Sequence, residues 1–169
     1  MVGRIVRINV SSGGVPKRPV PTARVTRAGI EGDAHRLREH HGGPERALCL
    51  FSLERIEALQ AEGHPVEPGA LGENLTLANL DWPLVQPDDV FRLGATVLVQ
   101  ITRFTSPCLN VRPAFLDGAY SRVSEKRHPG WSRVYARVLV PGEITVGDRV
   151  ERLAPVEARP GVSRTEADA

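Results

Sequence analysis

Cys108 closes the run Ile101-Thr-Arg-Phe-Thr-Ser-Pro-Cys108. A β-rich run that meets Ser-Pro puts this thiol where a strand breaks into a loop, and loops on a rigid scaffold present reactive side chains to ligands. Arg103 lies nearby, and no carboxylate occurs between Asp89 and Asp117. A cation beside a thiol favours the thiolate, which attacks electrophiles and binds soft metals. The competing reading of Cys108 is a small buried hydrophobe, the commoner fate of an unpaired cysteine.

The segment Gly29-Ile-Glu-Gly32-Asp33-Ala-His35, followed by His40-His41-Gly42-Gly43-Pro44, is the second region able to do chemistry. Glycines admit positive φ and let backbone N–H groups approach an anion closely. Asp33 can orient a histidine or receive a ligand N–H. The cluster reads as a metal site or as a polar cradle for an anionic cofactor. The metal reading is the weaker, because His35 to His40 misses the i,i+4 spacing that sets two imidazoles on one helix face. The histidines also suit plain loop-capping roles. Arg46, just beyond this turn, adds an anion partner.

Pro68-Gly-Ala-Leu-Gly72-Glu73-Asn74-Leu75 is a glycine-rich turn that delivers Glu73 and Asn74 to the start of a strand. A carboxylate that accepts and an amide that does both suit the edge of an amide-like heterocycle. Asn74 can equally bond its own backbone within the turn. Further on, Arg133, Tyr135 and Arg137 share one strand face by period two. That face is either solvated or in contact with a phosphate or pterin.

These residues need a scaffold, and the chain reads as short strands with turn punctuation. Residues 2–10 alternate as a strand, ended by Ser11-Ser-Gly-Gly14, and residues 23–28 form another, ended at Gly29. Residues 46–51 make an apolar run suited to a buried strand. Ser52 then caps a short helix through Ala61, with Arg55 where a full capping box would have glutamate, and Gly63 and Pro65 stop it. Residues 74–78, 89–93 and 95–103 follow as strands, the last two joined by a tight hairpin at Gly94. Residues 109–116 and 120–126 are helical or irregular. Residues 133–140 and 148–153 are expected to close the domain as a hairpin around Pro141-Gly142. Strands in this number, with turns every few residues, favour a mainly β fold, a closed or partly open barrel with a few short helices. The segment 154–169 is poor in apolar residues and reads as a disordered tail after a domain over 1–153.

Composition removes several classes. The chain has 169 residues, enough for one domain with a true core. Two cysteines, Cys49 and Cys108, are too few for a disulfide framework or a four-cysteine zinc site. A net charge of +2 makes no case for nucleic acid. No apolar run approaches bilayer-spanning length, and the alternating N-terminus lacks a signal core, so a cytoplasmic location is expected with no membrane partner. Twenty arginines stand against two lysines, Lys17 and Lys126. Arginine suits bidentate oxyanion recognition, although a compositional bias explains the excess as well.

In order and spacing, these motifs resemble one family. Gly29-Ile-Glu-Gly-Asp33, then His41-Gly-Gly-Pro-Glu-Arg-Ala-Leu-Cys49, then Gly72-Glu-Asn-Leu75, then Ser106-Pro-Cys108, then Tyr135-Ala-Arg-Val-Leu139 with Gly147-Asp148 are similar to the MOSC domain, named for the C-terminal domain of molybdenum cofactor sulfurases. The likeness runs from about residue 2 to 153, and is greatest to small stand-alone bacterial members, including those linked to detoxifying N-hydroxylated bases. It departs at Pro87-Asp88-Asp89, where Gly-Asp is expected before a strand. The resemblance implies a barrel of the MOSC or pyruvate-kinase type and a molybdenum–molybdopterin cofactor. Cys108 then either ligates molybdenum or carries sulfur as a persulfide. Gly32, Asp33, His41, Gly42, Gly43, Arg46, Gly72, Glu73, Asn74, Arg103 and Arg137 are the expected cofactor-binding residues, and Cys49 falls in the core. The leading implied activity is reduction of N-hydroxylated substrates with electrons from a separate partner. The alternatives are sulfur delivery from a cysteine desulfurase, and a non-catalytic binding module or histidine metal site at His35, His40 and His41. Pyridoxal phosphate is not expected on this chain itself.

Overall fold

The computed structural model describes residues 2–34 and 43–154. Eleven strands are present among them: β1 (Val2–Val10), β2 (Arg18–Val20), β3 (Thr22–Thr26), β4 (Gly29–Ile30), β5 (Leu48–Ser52), β6 (Leu75–Ala78), β7 (Val90–Leu93), β8 (Val97–Phe104), β9 (Val134–Val140), β10 (Gly142–Thr145) and β11 (Arg149–Arg152). The one described α-helix, α1, spans Leu53–Ala61, and the remaining helical turns are short 3-10 segments.

Seven strands close into a barrel in the order β11-β7-β8-β9-β5-β6-β1, with β1 returning to β11 through pairs such as Gly3 with Val150. Closure removes the open sheet edges that an antiparallel meander would expose. All the barrel pairings are antiparallel except β5 with β6, which run parallel. That exception follows from the chain between them: α1 and the turn-rich loop after it carry the backbone back to the same end of the sheet, as a parallel connection requires. A second, three-stranded sheet, β10-β3-β4, lies against the barrel.

Alternation fills the interior. Val97, Val99 and Ile101 of β8, with Val134, Ala136 and Val138 of β9, are all buried, as are Leu48 and Leu50 of β5 and Leu75 and Leu77 of β6. Period-two patterning sends the intervening residues to the outer wall. α1 starts where expected: the Ser52 side chain accepts the Arg55 backbone N–H at 3.3 Å. Ile56 and Leu59 turn its apolar side to the barrel. Gly63, at φ 98°, ends it.

Several expectations need correction. Residues 133–140 and 148–153 do not form a hairpin: β9 pairs with β8 and β5, whereas β11 pairs with β7 and β1. The Pro141-Gly142 turn leads instead into β10, which leaves the barrel to pair with β3. The strand expected over 23–28 stops at Thr26, because residues 27 and 28 form the turn into β4. Pro87-Asp88-Asp89 is a turn with Asp88 at φ 75°, which Asp89 clasps by accepting the Gln86 N–H at 2.8 Å. The tail from residue 155 lies outside the described residues. No described helix is long and apolar enough to cross a membrane.

Candidate functional site

The site sits on the outer wall of the barrel, over β5 and β9. Cys49 and Tyr135 are cross-strand partners, so their side chains leave the sheet on the same side, opposite to Leu48 and Ala136. Arg133 precedes β9 in the same alternation as Tyr135. Above this wall four loops close a pocket of about 190 Å³, lined by Cys49, Arg133, Tyr135 and Asn74 below and by Lys17, Cys108 and their neighbours above.

A buried ion pair organises one side. Lys17 Nζ donates to both oxygens of Asp33, at 2.6 and 2.8 Å, with both side chains almost wholly buried. Asp33 also accepts the Ser11 N–H at 2.9 Å and an Asn74 amide hydrogen at 2.8 Å. Asn74 completes the ring: its Oδ1 accepts the Cys49 N–H at 3.0 Å, and its own N–H donates to the Cys49 carbonyl at 2.7 Å. One carboxylate thus ties the Lys17 loop, the end of β1 and the entry to β6 into one rigid edge.

Arg133 forms the floor. It is buried, and its Nη1 donates to the Leu71 carbonyl. Its Nε–H is buried and has no partner among the described residues. An unpaired guanidinium N–H in a buried position calls for an anion or a polar ligand atom, since leaving it bare costs about 1–3 kcal/mol. Beside it, burial pushes the Cys49 thiol up to about 11, with the nearby Arg133 charge pulling the other way. Cys49 therefore stays a thiol at neutral pH. Burial, reinforced by the neighbouring Cys49, also raises the Tyr135 phenol above its usual value, and Arg46 lies 5.5 Å over its ring.

Cys108 lines the same pocket, half-buried, at the start of a 3-10 turn over Leu109–Ala114. Its loop is held at both ends. The Thr105 N–H donates to the Arg133 carbonyl at 2.9 Å, and the Thr105 carbonyl accepts the Ser132 hydroxyl at 2.9 Å. Beyond the turn, Phe115 packs edge-on against His64 at 5.3 Å, and His64 Nδ1 accepts the Leu116 N–H at 3.1 Å.

Of the residues expected from sequence, Cys108, Arg46, Gly72 and Asn74 meet at this pocket. Asp33 acts one step behind it, through Lys17 and Asn74. Gly43, at φ 96°, turns the chain into the short helix Pro44–Arg46 that presents Arg46. Gly32, at φ 84°, makes a tight turn with nothing near it. Glu73 does not line the pocket. It is fully buried, accepting the Gly69 N–H at 2.6 Å, and burial holds its carboxyl above the ordinary range. Asn74 keeps no amide donor for a heterocycle, because both its hydrogens go to Asn9 and Asp33. Arg103 is exposed and Arg137 pairs with Glu45 at 3.3 Å; neither lines the pocket. Cys49 is buried as expected, yet it opens onto the pocket rather than the barrel core. His35, His40, His41 and Gly42 lie outside the described residues, and among the described ones no group of three or more histidine, cysteine or acidic side chains is placed to hold a metal.

Sequence reading missed Lys17, Ser106 and Asn110, and weighed Arg133 and Tyr135 only as one side of a strand. The usable signal for Lys17 was its rarity: one of two lysines among arginines, in a Gly-Val-Pro-Lys turn.

Comparison with known proteins bears on the family and the fold. The MOSC domain family model matches residues 37–151. YflK of Bacillus subtilis is 34% identical over 83% of this chain and 63% of its own length. A protein of Gibberella moniliformis named a reductase is 33% identical over 74% of this chain, which spans only 22% of that protein. YiiM of Escherichia coli is 28% identical over 78% of this chain and 59% of its own. The chain thus spans about three fifths of the two bacterial relatives and about a fifth of the fungal one. The crystal structure of YiiM from Geobacillus stearothermophilus superposes with a TM-score of 0.68 at 26% identity, over 90% of this chain and 75% of that one. YuaD of Bacillus subtilis shares the fold alone, with a TM-score of 0.71 at 15% identity over 89% of this chain and 94% of that one.

Proposed function

This chain belongs to the MOSC domain family, and from that membership we propose that its outer-wall pocket binds a molybdenum–pterin cofactor and reduces N-hydroxylated substrates. The single observation that carries the reading is that Cys108 and Arg133 line one pocket. A soft sulfur donor on one lip suits a thiophilic metal. A buried guanidinium with an unpartnered N–H on the floor suits a phosphate oxygen. These residues fit such a group, with Cys108 as metal ligand and Arg133, Lys17 and Arg46 as the cations facing its phosphate.

When bound, the cofactor would supply two-electron redox chemistry; the overall conversion is R–NHOH + 2e⁻ + 2H⁺ → R–NH₂ + H₂O, with electrons from a separate donor. The chain's own residues bind and orient. Asp33 holds Lys17 in place, Asn74 fixes the Cys49 edge, and the Thr105 and Ser132 bonds keep the Cys108 loop from drifting. The reductase name of the Gibberella relative supports the redox reading, over the fifth of that protein that this chain spans. The test is molybdenum and pterin content after expression in a cofactor-competent host, for wild type beside Cys108→Ser. Wild type carrying neither would end this reading.

A second reading rests on the reach of Cys108, which is half-exposed where Cys49 is sealed. A partner's persulfide could pass its outer sulfur to the Cys108 thiolate, leaving the partner's thiolate behind. Incubation with a cysteine desulfurase and cysteine, followed by mass spectrometry, would then find one added sulfur on Cys108.

A further inference from the structure

We infer that the Tyr135 hydroxyl is the donor that meets the substrate's N–O oxygen, making Tyr135 a catalytic residue of this pocket. The inference rests on the reductase reading above and names the group that would recognise the oxygen to be removed. Several of the other lining donors are already engaged. Asn74 has both amide hydrogens committed, Lys17 directs two N–H groups into Asp33, and Arg133 gives one to Leu71. Ser106 and Asn110 line the pocket from the exposed loop.

Tyr135 differs from all of these. It stands on a barrel strand, opposite Cys49 on β5, with its ring under the Arg46 guanidinium at 5.5 Å. Its hydroxyl has no hydrogen-bond partner among the described residues. Tyr135, Cys49 and Cys108 line the same pocket. A rigid donor in the same pocket as the sulfur that would carry the metal is the arrangement in which a hydrogen bond to a departing oxygen acts, since preorganised donors need no reorganisation during reaction.

The test pairs an oxygen deleted from the protein with one deleted from the ligand. Tyr135→Phe keeps the ring, its stacking and the strand. Purified wild type and variant are each titrated calorimetrically with 6-N-hydroxylaminopurine and with adenine, which lacks the N–O oxygen. Wild type should lose about tenfold in affinity for hydroxylaminopurine on the substitution, the scale of one hydrogen bond, and nothing for adenine. Turnover of hydroxylaminopurine with reduced methyl viologen should fall by about 10²-fold in kcat, as when an oxyanion donor is removed. Equal losses for both ligands, no loss for either, or no binding by wild type would overturn the assignment. Molybdenum and pterin content are measured on the same samples. Unchanged content with no oxygen-specific coupling rejects Tyr135 and leaves the reductase reading standing. Absence of both from wild type rejects that reading instead.

Discussion

Asn74 and Cys49 clasp each other through two hydrogen bonds, one from each backbone N–H, at 2.7 and 3.0 Å. The clasp lies where β5 and β6 run parallel, just before the first ladder pair, Leu50 with Leu75. Asn74 thus serves as a strand-end pin that also borders the pocket.

Replacing that pin should cost stability before it costs chemistry. Asn74→Ala leaves the buried Cys49 N–H without a partner and removes one of the two donors to Asp33 Oδ2, which keeps Lys17. At about 1–3 kcal/mol for a buried polar group left unsatisfied, a loss of about 1–3 kcal/mol in urea unfolding is expected. A variant within 0.5 kcal/mol of wild type, taking roughly that as the scatter of neutral surface changes, would contradict the pinning role.

The Lys17–Asp33 pair should behave as a buried pair. Asp33→Ala strands an ammonium with almost no exposure and should destabilise by about 3–5 kcal/mol. The double change Lys17→Met with Asp33→Leu should recover much of that loss, because it removes both charges together. Denaturation of Lys17→Met, Asp33→Leu and the double variant beside wild type, assembled as a cycle, checks the coupling.

Glu73 predicts a pH dependence. Its folded pKa is raised, chiefly by burial, so the fold prefers the protonated carboxyl. Its stabilising contribution is complete below the unfolded-chain value of about 4.3 and declines as pH rises toward the folded value. Glu73→Gln, which stays neutral, should therefore gain on wild type as the pH climbs from about 4.3. Melting temperatures of both across that range should diverge; parallel curves would show that Glu73 keeps its proton no better in the fold than in the unfolded chain.

The two cysteines should separate cleanly under alkylation. Cys49 is buried with its thiol held at about 11, whereas Cys108 is half-exposed. Iodoacetamide at pH 8 should modify Cys108 in the native protein and both residues in urea, as read by peptide mass spectrometry. Native labelling of Cys49 would mean that the pocket opens far more widely than its walls suggest.

Local signals in this chain were legible, and long-range pairing was not. Alternation over 2–10, the cap at Ser52 and the turn at Gly94 are written in neighbouring residues, and each appears where expected. The partner of β9 is not local. Residues 133–140 and 148–153 look like a hairpin because a Pro-Gly turn lies between them, yet β10 has a better partner in β3, over a hundred residues upstream. The site shows the same division. Cys108 and the Gly72 turn announce themselves by type and context. Glu73 and Asn74 were found by motif, but the burial of the one and the hydrogen bonds that occupy the other were not legible, because whether a polar side chain meets a pocket or a neighbour depends on burial. Lys17 acquires its meaning only from Asp33, which folding brings to it.

Strand β9 carries two sets of residues with separate obligations. Val134, Ala136 and Val138 answer to the interior, where a change of one methyl group is felt. Arg133, Tyr135 and Arg137, interleaved with them, answer to whatever comes to the outer wall. Descendants of this chain could exchange the second set while the first stayed constant, so new ligand preferences would be reachable by single substitutions that leave the barrel's architecture undisturbed.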